Sequence, residues 1–362
     1  MSDYAVVEIL PSDIHGNQEV IRLLECEGIR RDANLDYTCG IYDENLQLAA
    51  TGSCFENTLR CLAVSNSHQG EGLMNQIISH LVMIQAERGN THLFLYTKCE
   101  SSHFFENLGF YEIARIKNQI VFMENRRSGF SNYLNRLKKE TEDSSAWNSF
   151  FHENTSSFPR NASIVMNANP FTLGHQYLVE KASAENDIVH LFLVSEDTSL
   201  IPFTVRKNLV LKGISHLKNI VCHDSDSYII SNATFPSYFQ RDTQAVMESH
   251  AYLDLTVFTL IANFLSINRR YVGEEPFSQV TALYNQIMKQ KLPEQGIECI
   301  EIPRKKAEGQ IISASFVRQA IKEGDQMLLA RCLPTAVLDY FHSPDAREIL
   351  QRISVSSDVI HH

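Results

Sequence analysis

Two apolar runs with almost no polar interruption set the strongest limit on the fold: "ASIVMN" at 162–167 and "DIVHLFLVS" at 187–195. A strand without alternation has no face to give to water. Both faces must be covered, which is the condition of a parallel sheet with helices on either side. "RRYVGEE" (269–275) and "GIECIEIPR" (296–304) repeat the pattern more weakly, with helical segments between them. This β-α-β rhythm predicts an α/β fold with a parallel, doubly wound sheet, and ligands at the carboxyl ends of its strands.

The first 125 residues alternate strand and helix signals in another way. "YTCGIYDENLQLAATGSC" reads as two strands around a turn at Asp43-Glu44-Asn45, and "TLRCLAVS" (58–65) as a third. Apolar residues at 73, 74, 77, 78, 81, 82 and 84 form a helical stripe that Gly89 would end. "HLFLYT", a short helix in "SSHFFENLGF" and a closing strand "QIVFME" follow. From 126 to 160 the chain turns polar and rich in Ser and Asn, which suits a joint with one helix around 130–140. The expected organisation is a domain over 1–125, a linker over 126–160, a second domain over 161–345 and a C-terminal tail over 346–362.

A length of 362 residues also suggests about two domains. The formal net charge of -11 argues against DNA or RNA as a main partner, because neutralising a phosphate backbone needs clustered Lys and Arg. A nucleotide needs only a local pocket. None of the 8 cysteines forms a CxxC pair, which favours reduced, mostly buried thiols over a zinc site or a disulfide framework. No metal-ligating set is expected. The start of the chain lacks a basic, then apolar, leader. "LDLTVFTLIANFLSI" (253–267) is too short to span a bilayer, carries Asp254 and Asn263, and reads as a buried helix. A cytoplasmic protein with no membrane partner is expected.

Chemistry concentrates where strands give way to helices. Thr172-Leu173-Gly174-His175 follows the first buried strand and opens an amphipathic helix. The first N–H groups of a helix lack internal partners, and its dipole favours an anion there. Gly174 would let phosphate oxygens come close. His175 could donate a hydrogen bond as charge builds at phosphorus, Thr172 offers a hydroxyl, and Pro170 stiffens the loop. A capping or surface histidine explains the same string. "IISASFVRQAI" (311–321) sets Ser313, Ser315 and Arg318 at another helix start. The serines could cap or meet phosphate, and the arginine fork suits phosphate oxygens. An ordinary Ser cap with a surface Arg also fits. Glu274 ends a strand, where it could meet a ribose hydroxyl or magnesium or be a solvated acid. Arg206 and Lys207 could reach a phosphate or be an exposed basic pair. Gln69-Gly70-Glu71-Gly72 lies between a strand and a helix, where it could form an anion-binding nest or merely a tight turn.

The TxGH and Ser/Arg motifs, in this order, resemble the HxGH…ISSTxxR nucleotidyltransferase superfamily, in its branch with Thr for the first His. That resemblance implies that Thr172 and His175 act at the α-phosphate of ATP and that Ser313, Ser315 and Arg318 hold the departing pyrophosphate. The Gln69–Gly72 loop with "HFFENLGFYEI" resembles a GNAT acetyltransferase domain. It implies that Gln69, Gly70 and Gly72 cradle a coenzyme A-like pyrophosphate, although Met74 stands where Gly or Ala is usual.

The two halves together, with "NPFTLGH", "YVGEEPFS", "LPEQGIECIEIPR" and "ISASFVR", resemble the citrate (pro-3S)-lyase ligase family. The resemblance implies ATP as cofactor with Mg2+ as its counter-ion. Asn169, Phe171, Gly174, Glu274 and Arg206 join the ATP site. It implies acetate as substrate and, as partner, the citrate lyase acyl carrier subunit with its phosphoribosyl-dephospho-coenzyme A group. Two rival readings stay open: an adenylyltransferase of the phosphopantetheine type fused to an acetyltransferase domain, and a non-catalytic sensor of coenzyme A or nucleotide.

Overall fold

A computed structural model describes residues 5–153, 159–197, 199–236 and 244–356. Residues 154–158 of the expected linker and 357–362 of the expected tail lie outside the described residues. The chain divides into two compact units, Met1–Phe130 and Ser131–His362.

The first unit runs β1 (Val6–Glu8), α1 (Ile14–Cys26), β2 (Tyr37–Tyr42), β3 (Leu48–Phe55), β4 (Thr58–Val64), α2 (Leu73–Glu87), β5 (Phe94–Thr97), α3 (Ser102–Asn107), β6 (Tyr111–Ile116) and β7 (Ile120–Glu124). Its sheet has the order β1-β2-β3-β4-β5-β7-β6. β4 and β5 form its parallel pair, joined at Thr58–Phe94 and Leu59–Leu95 before the strands part. Ile77, Ile78 and Leu81 of α2 pack over the sheet with Cys39, Ala50, Leu95 and Val121. This is the mixed sheet expected of a GNAT-like domain.

The second unit begins with the rest of α4 (Gly129–Glu142), then α5 (Ser145–Glu153), β8 (Asn161–Met166), α6 (Leu173–Glu185), β9 (Ile188–Leu193), α7 (Phe203–Gly213), β10 (Ile220–Asp224), α8 (Gln244–Phe264), β11 (Arg269–Gly273), α9 (Gln279–Lys291) and β12 (Glu298–Ile302). A small hairpin, β13 (Lys306–Ala307) and β14 (Gln310–Ile311), leads into α10 (Ala314–Glu323), α11 (Gln326–Cys332), α12 (Thr335–His342) and α13 (Arg347–Val355). The sheet order is β10-β9-β8-β11-β12, with every neighbouring pair parallel. The winding reverses at β8 and β11, and crevices at such a switch point hold ligands. On one face, Ile164, Val189 and Leu191 bury against Val179 of α6, Leu209 of α7 and Val317 of α10. On the other, α8 and α9 present Phe258 and Tyr284, and the Arg270 guanidinium lies 4.4 Å over the Phe258 ring.

Two expectations need correction. The joint contains two helices where one was expected, because Tyr133 and Leu137 of α4 and Ala146 of α5 are buried. The stretch from 346 is also more than a tail: α13 places Ile349 and Ile353 in the core of the second unit.

Candidate active site

Thr172 caps α6, and its conformation is extended, at φ -117° and ψ 169°. The Thr172 backbone N–H donates to His175 Nδ1 at 3.1 Å, and the Thr172 hydroxyl lies 3.0 Å from the same nitrogen. A nitrogen that accepts from a backbone N–H carries no proton. The imidazole proton of the neutral ring therefore sits on Nε2, and among the described residues nothing bonds Nε2. Burial, and then the positive charge of Arg304, push the His175 pKa down from 6.5 to about 3. The ring is thus a neutral donor with a fixed tautomer, as charge developing on a phosphoryl oxygen requires. Thr172 itself is buried, with its hydroxyl turned to His175, so it orients the ring.

The two motifs meet. A Cβ built on Gly174 would lie 3.2 Å from the Ile312 carbonyl oxygen and 3.4 Å from Thr172 Oγ1. The missing side chain thus lets the start of α6 press against the approach to α10. Ser313 caps α10, accepting from Phe316 N at 3.1 Å, and Ser315 is half-buried in the first turn. Arg318 is buried, and its Nη1 donates to the Asn169 carbonyl at 2.5 Å. It braces the loop after β8. Asn169 Oδ1 accepts from Ile201 N at 3.3 Å and so ties that loop to the segment after β9. Glu274 projects into solvent from the end of β11.

Two of the expected nucleotide contacts are corrected. Arg206 is 1% exposed and donates to the carbonyls of Ile201, Asn167, Val194 and Glu196 and to Asn167 Oδ1, at 2.6–3.0 Å. Burial lowers its pKa to about 10, so it stays charged at neutral pH. It is an internal cross-link between the loops after β8 and β9, with most of its donors spent on them. Its neighbour Lys207 pairs with Asp224 at 2.6 Å. Phe171 is 0% exposed and its ring fills the space over Gly213, where an added Cβ would come within 2.4 Å. It meets the His175 ring at 5.8 Å between centroids and 16° between planes, so its side chain supports the histidine and presents no face to a nucleotide.

Arg304 ends the segment LPEQGIECIEIPR, to which the resemblance attaches no site role, and it stands near His175 just beyond β12. Its Nε donates to the Glu274 carbonyl at 2.5 Å, and its Nη2 pairs with Glu275. Glu275 Oε1 in turn accepts from Phe277 N and Ser278 N, both at 3.0 Å, which fixes the turn before α9.

In the first unit, Gly70 and Gly72 have φ of 88° and 77°, and a Cβ at either would meet nothing within 4 Å. Gly72 caps α2 without a side-chain bond, leaving the first N–H groups open to an anion. Gln69 is exposed, and its amide donates to Asn66 Oδ1 at 2.7 Å. Met74 packs against the core, so it does not crowd the loop.

The citrate lyase ligase C-terminal domain family matches residues 161–341. A citrate (pro-3S)-lyase ligase from Haemophilus influenzae is 38% identical over 323 residues, covering 88% of this chain and 92% of its own. One from Escherichia coli is 36% identical over 321 residues, covering 86% of this chain and 87% of its own. An acyl-CoA N-acyltransferase structure from Pseudomonas aeruginosa covers 34% of this chain and 99% of its own at 12% identity. Its TM-score of 0.30 is too low to bear on function.

Proposed function

Because the chain belongs to the citrate (pro-3S)-lyase ligase family, and so is an enzyme of the ligase class, we propose that it acetylates the thiol of the citrate lyase acyl carrier at the expense of ATP. The acyl group comes from acetate. Oxide is too poor a leaving group for a thiol to displace, so acetate must first be activated. A carboxylate oxygen of acetate attacks the α-phosphorus of ATP. The bond from phosphorus to the bridging oxygen breaks, pyrophosphate departs with the electron pair, and acetyl-AMP remains. The carrier thiol loses its proton, the sulfur attacks the acetyl carbon, and AMP leaves with the electrons of the C–O bond. The thioester, AMP and pyrophosphate are the products.

The observation that carries this reading is His175, whose Nδ1 is pinned by Thr172 so that the proton sits on Nε2, in the turn that follows β8 at the switch point of the sheet. Its hydrogen bond strengthens as charge gathers on the α-phosphoryl oxygens. The helix starts at Thr172 and Ser313 add unpaired N–H groups, and Ser315 and Arg318 hold the pyrophosphate end. Among the described residues no group of three or more His, Cys, Asp or Glu could cage a metal. Magnesium would be held mainly by phosphate oxygens and water, with Glu274 in reach of the crevice. The thiol sits on the carrier's phosphoribosyl-dephospho-coenzyme A arm, whose pyrophosphate suits the loop at Gln69, Gly70 and Gly72.

The test mixes the protein with ATP, labelled acetate and deacetylated citrate lyase. Label should appear on the carrier subunit, and pyrophosphate release should require acetate. His175→Ala should lower that release by on the order of 100- to 1,000-fold. Transfer of AMP to a phosphorylated acceptor without any need for acetate would instead establish the adenylyltransferase reading. Nucleotide binding without turnover would establish the sensor.

A further inference from the structure

Arg318, the cation that the motif supplies for pyrophosphate, is 3% exposed and spends a donor on the Asn169 carbonyl. Arg206 is 1% exposed and spends most of its donors on four backbone carbonyls and Asn167 Oδ1. The crevice thus needs a cation with room to move, since the leaving pyrophosphate carries most of the developing charge. Arg304 has that room. Its side chain keeps 21% of its surface exposed, and its Nη1 makes no hydrogen bond among the described residues.

Its place is fixed from two sides. The next residue, Lys305, accepts from Ile312 N at 3.0 Å, and the Ile312 carbonyl lies against Gly174. Lys305 Nζ also lies 5.8 Å from the ring of Tyr177 in the first turns of α6. On the other side the guanidinium holds the turn after β11 through Glu274 and Glu275. Arg304 therefore sits where the start of α6, the approach to α10 and the end of β11 converge.

We propose that Arg304 is a further catalytic residue, which pairs with Glu275 and which turns its guanidinium to the triphosphate when ATP binds. Glu275 is a placeholder anion: its 10% exposed carboxylate neutralises the arginine until a more highly charged ligand arrives. The pairing keeps Arg304 aimed, so less freedom is lost on binding than for a loose side chain.

The inference rests on the ATP reading above, and equilibrium binding of ATP separates the two. In the full-length protein, Arg304→Ala should weaken ATP binding and lower acetate-dependent pyrophosphate release by on the order of 100-fold. Arg304→Lys should recover part of the binding but little of the rate, because a point charge lacks the fork. Glu275→Gln keeps an oxygen for the N–H groups of Phe277 and Ser278 while removing the competing charge. It should tighten ATP binding several-fold, and the gain should vanish in the Glu275→Gln, Arg304→Ala double variant. Wild-type ATP affinity and rate in a folded Arg304→Ala protein would overturn the proposal. So would a Glu275→Gln effect that is the same with and without Arg304. If the wild type binds ATP but releases no pyrophosphate with acetate, the acetylation reading fails while the binding series still decides Arg304.

Discussion

His175 works as a proton holder that does not exchange its proton across the working range. Its pKa, lowered from 6.5 to about 3, leaves the ring neutral at any pH where the enzyme would be assayed. We expect the rate of acetate-dependent pyrophosphate release to show no limb near pH 6.5 from this ring. A limb that disappears in His175→Gln would contradict this. The sign for stability follows from the same shift. Below pH 6.5 the unfolded chain takes up a proton on this histidine, while the folded chain resists until about 3. The ring's contribution is complete above 6.5 and is lost as the pH falls toward 3. His175→Gln should flatten that part of a plot of Tm against pH. Arg206 gives a second residue-scale expectation. Truncating it strands four carbonyls, each costing about 1–3 kcal/mol if left without a partner, less whatever water enters. Arg206→Ala should therefore lower the unfolding midpoint strongly, and Arg206→Lys should recover little, since one ammonium cannot span those directions.

Among elements, α7 acts on the site through Arg206 and through the contact of Gly213 with Phe171. Gly213 lets Phe171 lie flat over the helix, and Phe171 underlies His175. Gly213→Ala should cost about 1–3 kcal/mol by overpacking, although Ala favours a helix, and should also slow pyrophosphate release by tilting the ring stack. Thermal melting and the rate assay read the two effects separately. This dependence lies outside what sequence pattern conveys. The runs at 162–167 and 187–195 declared β8 and β9 because burial on both faces leaves an unbroken apolar signature. TLGH and ISASFVR declared their helix starts through caps that are local in the chain. β10 went unread because His223 and Asp224 break its short apolar run. α13 gives little signal although Ile349 and Ile353 stand one turn apart, because the segment is short and mostly polar around them. The sequence suggests a phosphate contact or an exposed basic pair for Arg206, and its buried role goes unannounced for a different reason. Its partners come from the loops after β8 and β9, and nothing near it in the chain announces them. Arg304 was passed over likewise, because Glu274 and Glu275 reach it from another strand end.

At the scale of the whole molecule, the proposed scheme assigns different steps to the two units, so their variants should separate. The positive φ of Gly72, 77°, is one that L side chains rarely adopt, and it sets the turn into the first N–H groups of α2. Gly72→Val would strain that turn by about 1–2 kcal/mol and swing those groups off any bound pyrophosphate. The site at Thr172, His175 and Ser313 belongs to the other unit and shares no residue with the loop. Acetate-dependent pyrophosphate release in Gly72→Val should therefore stay at the wild-type rate, while transfer of label to the carrier subunit falls at least tenfold. His175→Ala should lose both activities. Added acetyl-AMP, which bypasses the first step, should restore transfer in His175→Ala but not in Gly72→Val. Equal loss of both steps in the glycine variant would mean that its loop serves the adenylation chemistry itself. An unimpaired transfer would remove the loop from the path of the carrier arm.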